Sequence, residues 1–519
     1  MTEFVDRHWR KIALVFGLAG FGLILWVTSR YGAGVSGDAV DYLSTADSLK
    51  RGAGFTDFTG EPYIYWPPLY PLLLASLSWI LGLDTFIVGG WLNAVCFGVI
   101  VMLAGVLLRK TLDQSPFWFF WGSLVVLSAL PLVQLAANIL SDALFVVLVL
   151  LYAFWGCAYL NGPTPKRLLR LSLLAAAAAL LRWHGVLLVV SVIVLVLIAQ
   201  RRNLKIALRD AVWSGVLATL PFGVWVIGRN YRLLGSVMGY RDTGEISILY
   251  NLNDAFQKMS HWFLPDQLLS KVSPLIFLSG AVVILLLLVA RQSGRQFFVP
   301  LFSADNLPWV IFFALDFCFI MLTSITYDHA AYFDDRYYAP LFIFVVLLMG
   351  RILQNFADKF GRIRWSVAAR WLFMLALSLW LLYPAYRLYK YAVVSRAQGE
   401  PTYNIYNSEH FRESALVVRL LEPSFDKSQP LYSNYPAAVY FYTRQITLRA
   451  PLSSSGEPAD FDDLYQRYAK WPPEDKAVLI WFLPNDWHYY YHPEDLTAIA
   501  EVRIEFSSPD GMIYAVTQR

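Results

Sequence analysis

The sequence has few charged residues and few cysteines, and both shortages restrict what the chain can be. Only 15% of its 519 residues are charged, whereas 57% are hydrophobic. A soluble domain usually has about 25% charged residues, so the composition predicts an integral membrane protein. Cys96, Cys157 and Cys318 each lie in an apolar run without a CxxC pair, so neither a disulfide framework nor a cysteine metal site is indicated.

Two further shortages narrow the class of protein. No N-x-S/T sequon is present, which disfavours a glycosylated eukaryotic surface protein. The net charge is only +4, and the basic residues gather at the ends of apolar runs. That distribution is typical of membrane orientation and disfavours a nucleic-acid partner, which would need a basic face on a soluble domain.

Long apolar runs separated by basic clusters are the main positive feature. A spanning helix needs roughly 20 apolar residues, and lysine and arginine collect on the cytoplasmic side of a membrane. With every basic turn placed in the cytoplasm, the runs predict a polytopic α-helical membrane protein with about 11 transmembrane helices and a cytoplasmic N-terminus. Bacterial inner (cell) membrane is the expected location, with membrane lipids as neighbours.

Two apolar runs depart from the simple spanning pattern. Residues 69–83 are short and follow Pro67-Pro68, so we expect an interfacial or re-entrant helix there. A true span is the alternative, and it would invert the orientation of everything that follows. Residues 171–199 predict two short helices joined at the sequence RWHG, residues 182–185.

Composition also predicts the domain organisation. Residues 1–389 are expected to form the transmembrane domain, in which residues 29–87 are the first outer loop. Residues 390–519 are polar and long enough for a small extracytoplasmic soluble domain. The stretches AVYFYT (438–443) and KAVLIWFL (476–483) read as strands, so a mixed α/β domain is expected.

Aspartates follow the first span closely. Asp38 and Asp41 are three residues apart on a predicted short helix, where they share a face. One interpretation is a general base or metal-binding pair. The alternative, equally supported by local sequence, is that an acidic residue after Ser36-Gly37 favours the N-terminus of a helix.

Three later segments place ionisable residues at predicted helix ends. Asp142 lies in NILSDALF, where helix capping is the simpler explanation. Arg182 interrupts an apolar hairpin and needs an anion or a snorkelling path; His184 beside it is expected to be a satisfied boundary histidine rather than a ligand. Arg336 in FDDRYYAP fits either a structural ion pair or a phosphate clamp. Asp316, inside an apolar helix, receives no role.

These segments resemble the GT-C superfamily of polyprenyl-phosphate-sugar-dependent glycosyltransferases. Within it the chain is similar to the group that contains protein O-mannosyltransferases and the aminoarabinose transferase of lipid A. The matching pieces cover about the first 350 residues in the family's order. They are Asp38 followed by Tyr42 and GAGF, then YWPPLYPLLLASLSWILG, NILSDALF, LLRWHG and DRYYAPLFIFVVLL.

The resemblance implies roles for these residues. Asp38 and Asp142 would be catalytic, and the same two carboxylates are candidate ligands for a divalent cation (Mg, Mn or Zn). The implied substrate-binding residues are Asp41, Tyr42, Arg182, His184, Arg336 and Tyr337. The chain departs from the family at Ala39, where many relatives have a second acidic residue, and at Tyr65-Trp66, where some have a charged pair.

The implied reaction is an inverting transfer of a hexose or pentose from a polyprenyl-phosphate donor to a hydroxyl of a lipid, glycan or protein acceptor. Asp38 would take the acceptor proton, and an arginine would hold the leaving phosphate. One alternative is a ligase or polymerase of lipid-linked glycans. Another is a flippase or transporter of a lipid-linked substrate, which the lack of visible internal repeats and the location of the candidate residues at helix ends both disfavour.

Overall fold

The computed structural model describes residues 2–112, 114–235, 247–265, 302–326, 335–360, 366–454, 461–483 and 489–519. The main helices before residue 400 are α1 (Thr2–Val27), α2 (Gly37–Lys50), α3 (Leu69–Leu81), α4 (Thr85–Thr111), α5 (Pro116–Leu127), α6 (Leu130–Ala136), α7 (Asp142–Leu160), α8 (Pro165–Leu181), α9 (Val186–Ala199), α10 (Leu204–Gly223), α11 (Ile248–His261), α12 (Leu307–Thr326), α13 (Asp335–Phe360), α14 (Ser366–Trp380) and α15 (Leu382–Gln398). A 3-10 turn (Trp183–Gly185) joins α8 to α9, and a π-helix (Val224–Tyr231) extends α10.

The chain divides into two compact units. The first, here the helical unit, comprises Met1–Val27, Ile64–Leu69 and Trp91–Val393. The second, here the sheet unit, comprises Thr28–Tyr63, Tyr70–Gly90 and Val394–Arg519. The sheet unit therefore combines the segment after α1 with the C-terminal part of the chain, and the assignment of two domains to membrane and extracytoplasmic space stays a prediction.

Most of the long apolar helices belong to the helical unit. Within the described residues, six helices are long and apolar enough to cross a membrane, and a seventh if α5 and α6, which meet at 50°, form one broken span. The helix α3, at 13 residues, is shorter than these candidates. The apolar run before Arg291 also predicts a span, but it lies outside the described residues, so the count of about 11 helices stays a prediction.

The hairpin predicted at residues 171–199 is present as α8 and α9. Thr164 caps α8 by accepting a hydrogen bond from the Arg167 N–H at 3.3 Å, and Pro165 occupies the first helical position, where its missing N–H costs nothing. Arg182 ends the helix because its backbone is extended, with φ −149° and ψ 151°. The 3-10 turn then reverses the chain.

The sheet unit contains a mixed five-stranded sheet in its C-terminal part. The elements there are α16 (Glu409–Arg412), α17 (Ala415–Leu421), β1 (Leu431–Ser433), α18 (Pro436–Thr443), β2 (Thr447–Arg449), α19 (Phe461–Tyr468), β3 (Lys476–Phe482), α20 (Pro493–Leu496), β4 (Ala500–Ser508) and β5 (Gly511–Gln518). The strand order is β2-β1-β3-β5-β4, with β1 parallel to β2 and β3, and β5 antiparallel to β3 and β4. Trp471, Leu479, Trp481 and Tyr491 are buried in its core.

One strand prediction in this unit is confirmed and one is wrong. KAVLIWFL forms β3, but AVYFYT lies in the helix α18. Pro436 starts that helix, and Arg444 ends it in a left-handed conformation with φ 58°. Residues 436–441 of α18 are all buried, so the helix has no polar face to produce a 3.6-residue pattern, and the short apolar run could not distinguish helix from strand.

The tight turn between α8 and α9 depends on a glycine. A Cβ atom at Gly185 would lie 1.8 Å from the Ala178 carbonyl oxygen, and backbone cannot move away as a flexible side chain can. We expect Gly185→Ala to destabilise the protein by about 1–3 kcal/mol, read as a lower midpoint of thermal unfolding in detergent. Gly22→Ala is the control, because no atom lies within 4 Å of its added Cβ. Equal midpoints for the two variants would contradict the described turn.

Candidate active site

The helical unit contains a buried ion pair between two of the predicted site residues. Asp142 is the first residue of α7 and is 3% exposed; Arg182, in the hairpin turn, is 8% exposed. The Arg182 Nη1 contacts Asp142 Oδ2 and also lies 3.5 Å from the Ser141 hydroxyl. Each charge offsets the cost of burying the other. The structure therefore brings these two residues together as partners.

A second buried pair lies two residues further along the same turn. His184 Nε2 lies 3.0 Å from Asp316 Oδ1, and Asp316 of α12 is 0% exposed. The rings of Phe145 and Phe319 pack on the imidazole with centroid distances of 6.2 and 5.0 Å. A carboxylate enclosed in this way is costly unless it is paired. Neither His184 Nε2 nor either Asp316 carboxylate oxygen makes a hydrogen bond with the described residues, so the two groups are in ion-pair contact only. Asp316 joins the site although its local sequence indicates no function.

The turn itself is an anchoring point for three separate segments. Arg182 contacts α7 and His184 contacts α12, while the Trp183 indole N–H donates to the Tyr65 carbonyl at 2.8 Å. Three consecutive side chains therefore hold three parts of the helical unit. Their geometry is tightly coupled, so a change at one side chain is expected to affect the other two.

Arg336 brings a further cation to this neighbourhood. It is the second residue of α13, its guanidinium lies 5.2 Å from the centroid of the Tyr337 ring, and Tyr337 in turn packs 6.4 Å from the His184 ring. The N-terminus of a helix already has positive electrostatic potential. Arginine at this position reinforces that potential, and the combination suits an anionic ligand.

The acidic motif belongs to the sheet unit. Ser36 caps α2 by accepting a hydrogen bond from the Ala39 N–H at 3.3 Å, so the serine rather than an aspartate is the cap. Asp38 and Asp41 follow one turn apart on α2. Burial raises the pKa of Asp41 well above its usual range, and the charges of Asp38 and Asp57 raise it further against the opposing effect of Arg449. Asp41 therefore retains its proton to a higher pH than an ordinary aspartate does.

The other predicted residue of the motif is enclosed. Tyr42 is buried, and its ring meets the edge of the Tyr70 ring with centroids 4.9 Å apart. Asp57 accepts hydrogen bonds from the Thr59 N–H at 2.8 Å and its hydroxyl at 2.6 Å. These contacts fix the loop after α2, and the substrate-binding role of Tyr42 stays a prediction.

Two tyrosines from the C-terminal part of the chain were missed. The rings of Tyr406 and Tyr435 pack edge to face with centroids 5.1 Å apart. Burial raises the pKa of Tyr406, and the charges of Asp41 and Asp38 raise it further. No local motif marks either tyrosine, and they follow the aspartates by more than 360 residues. Only the tertiary fold of the sheet unit reveals them.

The described residues do not complete a metal site. No group of three or more His, Cys, Asp or Glu side chains in that part of the chain could hold an ion. Asp142, one of the two predicted ligands, is already neutralised by Arg182. The binding of a divalent cation by Asp38 and Asp142 therefore stays a prediction.

The raised pKa of Asp41 predicts a pH-dependent stability. Because the native state binds this proton more tightly than the unfolded chain, stability falls as pH rises from about 4 through the raised native pKa. We expect Asp41→Asn, which cannot ionise, to unfold at a higher temperature than the wild type at pH 8. The difference between the two midpoints should shrink as the pH is lowered towards about 4.

A control of opposite sign is available in the same unit. Asp426 has a lowered pKa because it accepts hydrogen bonds from the Ser428 hydroxyl and N–H. Asp426→Asn should therefore lose a little stability at pH 8 rather than gain it. If Asp41→Asn is destabilising at pH 8 and unaffected by pH, the assigned protonation is wrong.

The Asp316–His184 pair predicts coupling between two substitutions. Asp316→Ala leaves the buried imidazole without its partner, and such a loss costs about 3 kcal/mol. His184→Ala should cost a similar amount, and the double variant should be more stable than the sum of the single losses implies. A double-mutant cycle on thermal unfolding measures this; strictly additive losses would show that the two side chains do not interact.

Comparison with known proteins places this arrangement in a known fold. No family model and no curated protein sequence matches the chain. Among solved structures, ArnT from Cupriavidus metallidurans in the apo state is similar, with a TM-score of 0.60, 11% identity and 98% of both chains covered. The same protein bound to undecaprenyl phosphate gives a TM-score of 0.58, 12% identity and the same coverage.

A larger transferase shares the fold as well. The Archaeoglobus fulgidus oligosaccharyltransferase, solved with zinc and sulfate, gives a TM-score of 0.55 at 13% identity, covering 97% of this chain and 72% of that one. Identities this low establish the fold alone. The predicted resemblance is confirmed at that level: over almost its whole length, the chain has the fold that ArnT and this oligosaccharyltransferase share.

Proposed function

We propose that this chain is an integral membrane glycosyltransferase that moves a sugar from a polyprenyl-phosphate donor to a hydroxyl acceptor. The observation that carries the proposal is the fold, which matches ArnT bound to undecaprenyl phosphate over 98% of both chains. The buried Asp142–Arg182 pair and the acidic motif of α2 support it. Together they supply the residue types that such a transfer requires.

The acceptor side of the reaction is assigned to Asp38. Its carboxylate takes the proton of the acceptor hydroxyl as the oxygen attacks the anomeric carbon, and the bond between that carbon and the phosphate oxygen breaks. The electron pair of that bond leaves with the polyprenyl phosphate. Because the acceptor oxygen attacks from the opposite face in one displacement, the configuration of the anomeric carbon inverts. Asp41, with its raised pKa, is a proton-bearing neighbour that can donate a hydrogen bond to the acceptor.

The donor side is assigned to Arg336 at the start of α13. Its fork of N–H groups matches a phosphate, and charge that grows on the leaving oxygen strengthens this interaction in the transition state. Arg182 is paired with Asp142, so in this proposal it positions the hairpin turn and Asp142 rather than binding the phosphate alone. His184 and Tyr337 line the same neighbourhood.

The membrane orientation belongs to the same proposal. Basic residues at alternate ends of the apolar runs support a cytoplasmic N-terminus, with residues 29–87 and 390–519 outside the bacterial inner membrane. A lipid-linked donor suits that side, since it is presented at the membrane surface. Lipid, glycan and protein hydroxyls are all compatible acceptors, and a pentose or a hexose fits the donor equally.

A transporter of lipid-linked substrates is the second candidate, and one observation favours it. Asp316 and His184 form an ionisable pair inside the apolar helical unit, as proton-coupled transporters often have. The two functions differ in product. Proteoliposomes loaded with undecaprenyl-phosphate-linked sugar would show translocation without cleavage for a transporter, and release of undecaprenyl phosphate for a transferase.

Asp38→Asn tests the proposed base. Purified protein in nanodiscs is supplied with synthetic undecaprenyl-phosphate-linked pentose or hexose and a membrane extract as acceptor, with and without Mg²⁺ or Zn²⁺. We expect the variant to release undecaprenyl phosphate at least about 100-fold more slowly, the effect typical of losing a general base. Its thermal midpoint and its affinity for undecaprenyl phosphate should equal those of the wild type.

The matched control is Glu61→Gln, which neutralises an exposed carboxylate in the segment that follows α2. This variant should keep normal turnover. Undecaprenol, which lacks the phosphate, should bind much more weakly than undecaprenyl phosphate. Normal turnover by Asp38→Asn would refute the role of Asp38. Equal binding of the two lipids would refute the polyprenyl-phosphate donor.

A further inference from the structure

Residues 400–407, with the sequence EPTYNIYN, form a compact turn in the sheet unit. We call this segment the 400–407 turn. The buried carboxylate of Glu400 accepts hydrogen bonds from the backbone N–H groups of Thr402 at 2.9 Å, Tyr403 at 2.8 Å and Asn404 at 3.2 Å. A carboxylate that satisfies three N–H groups makes a rigid turn without regular secondary structure.

This turn binds the backbone immediately before the acidic motif. The Val35 N–H donates to the Asn404 side-chain oxygen at 3.0 Å, and the Val35 carbonyl accepts from the N–H groups of Ile405 at 3.0 Å and Tyr406 at 3.1 Å. The Asn407 amide donates to the carbonyl of Ala33 at 3.0 Å. Both polar backbone groups of Val35 are thus fixed by the 400–407 turn.

The fixed position of Val35 affects Asp38 because both lie at the N-terminus of α2. Val35 precedes Ser36, the residue that caps α2, and Asp38 is the second residue of that helix. A helix whose N-terminus is fixed in place also fixes the direction of its first side chains. The 400–407 turn therefore determines where Asp38 and Asp41 begin, although it lies far away in sequence.

Tyr406 extends this control to the carboxylates themselves. It is only 3% exposed, its backbone N–H donates to the Val35 carbonyl at 3.1 Å, and its ring packs on the Tyr435 ring with centroids 5.1 Å apart. Burial raises the pKa of Tyr406 well above its usual range, and Tyr435, Asp41 and Asp38 raise it further. The phenol therefore stays neutral and adds no charge to the acidic motif, while its backbone holds Val35.

We propose that Tyr406 is a positioning residue of the transfer reaction, through which the 400–407 turn sets the geometry of Asp38 and Asp41. This inference rests on the proposed function, because it assumes that Asp38 removes the acceptor proton. It gives the C-terminal part of the chain a role in catalysis, because that part binds the backbone that precedes the acidic motif. A purely structural turn would hold the fold together but would leave turnover and its pH dependence unchanged.

The test compares two buried tyrosines of the sheet unit. Tyr406→Phe and Tyr432→Phe each remove one hydroxyl; that of Tyr432 donates to Glu474 at 3.1 Å in the sheet. Turnover of undecaprenyl-phosphate-linked sugar is followed by release of undecaprenyl phosphate. We expect Tyr406→Phe to lower kcat about tenfold, as small misplacements of reacting groups do. KM for the donor should stay constant, and Tyr432→Phe should stay within about twofold of the wild type.

The pH profile supplies a readout that a structural role would not move. The titratable and charged groups that influence the pKa of Tyr406 are Tyr435, Asp41 and Asp38, and those that influence the pKa of Asp41 are Asp38, Asp57 and Arg449. Because the acidic limb of kcat reports the carboxyl pair, Tyr406→Phe should shift that limb relative to the wild type. Tyr432→Phe should leave it in place.

A second pair of variants decides the outcome if Tyr406→Phe folds poorly. Asn404→Ala removes the oxygen that accepts from the Val35 N–H, whereas Asn404→Asp retains an oxygen there. We expect Asn404→Ala to lose turnover and Asn404→Asp to recover most of it. Two results would overturn this inference if the wild type turns over normally. One is a Tyr406→Phe variant as active as Tyr432→Phe, and the other is full activity of both Asn404 variants. A wild type without any turnover would refute the proposed function instead.

Discussion

The buried ion pair between Asp142 and Arg182 is the interaction on which the helical unit depends. Burying either charge in an apolar environment without the other would be costly. Their pairing fixes the extended backbone of Arg182, which ends α8 and allows the turn into α9. The same turn then directs Trp183 to the Tyr65 carbonyl and His184 to Asp316. One electrostatic requirement therefore organises three segments around the start of α13.

The sheet unit holds two carboxyls, Asp38 and Asp41, close together near the N-terminus of α2. Like charges in proximity ionise unequally, and the raised pKa of Asp41 records that effect together with burial. The backbone before α2 has no regular secondary structure of its own, so its polar groups are satisfied by Asn404, Asn407 and the N–H of Tyr406. The acidic motif is thus held by contacts between two segments that are distant in sequence, the backbone before α2 and the 400–407 turn.

Local sequence predicted features whose causes are local. Ser36-Gly37 before an acidic residue indicated the start of α2, Arg182 indicated the hairpin turn, and the short run after Pro67-Pro68 indicated a helix too short to be one of the spanning candidates. Features caused by tertiary contacts were not predictable in this way. AVYFYT shows no helical pattern because residues 436–441 are all buried. Asp316 is identified only by its contact with His184, and no motif marks Tyr406.

The proposed function requires that Asp38 and Arg336 act on one donor molecule. A structure of the protein with undecaprenyl-phosphate-linked sugar bound tests this claim most directly. We expect the phosphate to lie within hydrogen-bond distance of the Arg336 guanidinium, with the anomeric carbon facing the Asp38 carboxylate. A donor that binds away from Arg336, or whose sugar is out of reach of Asp38, would contradict it.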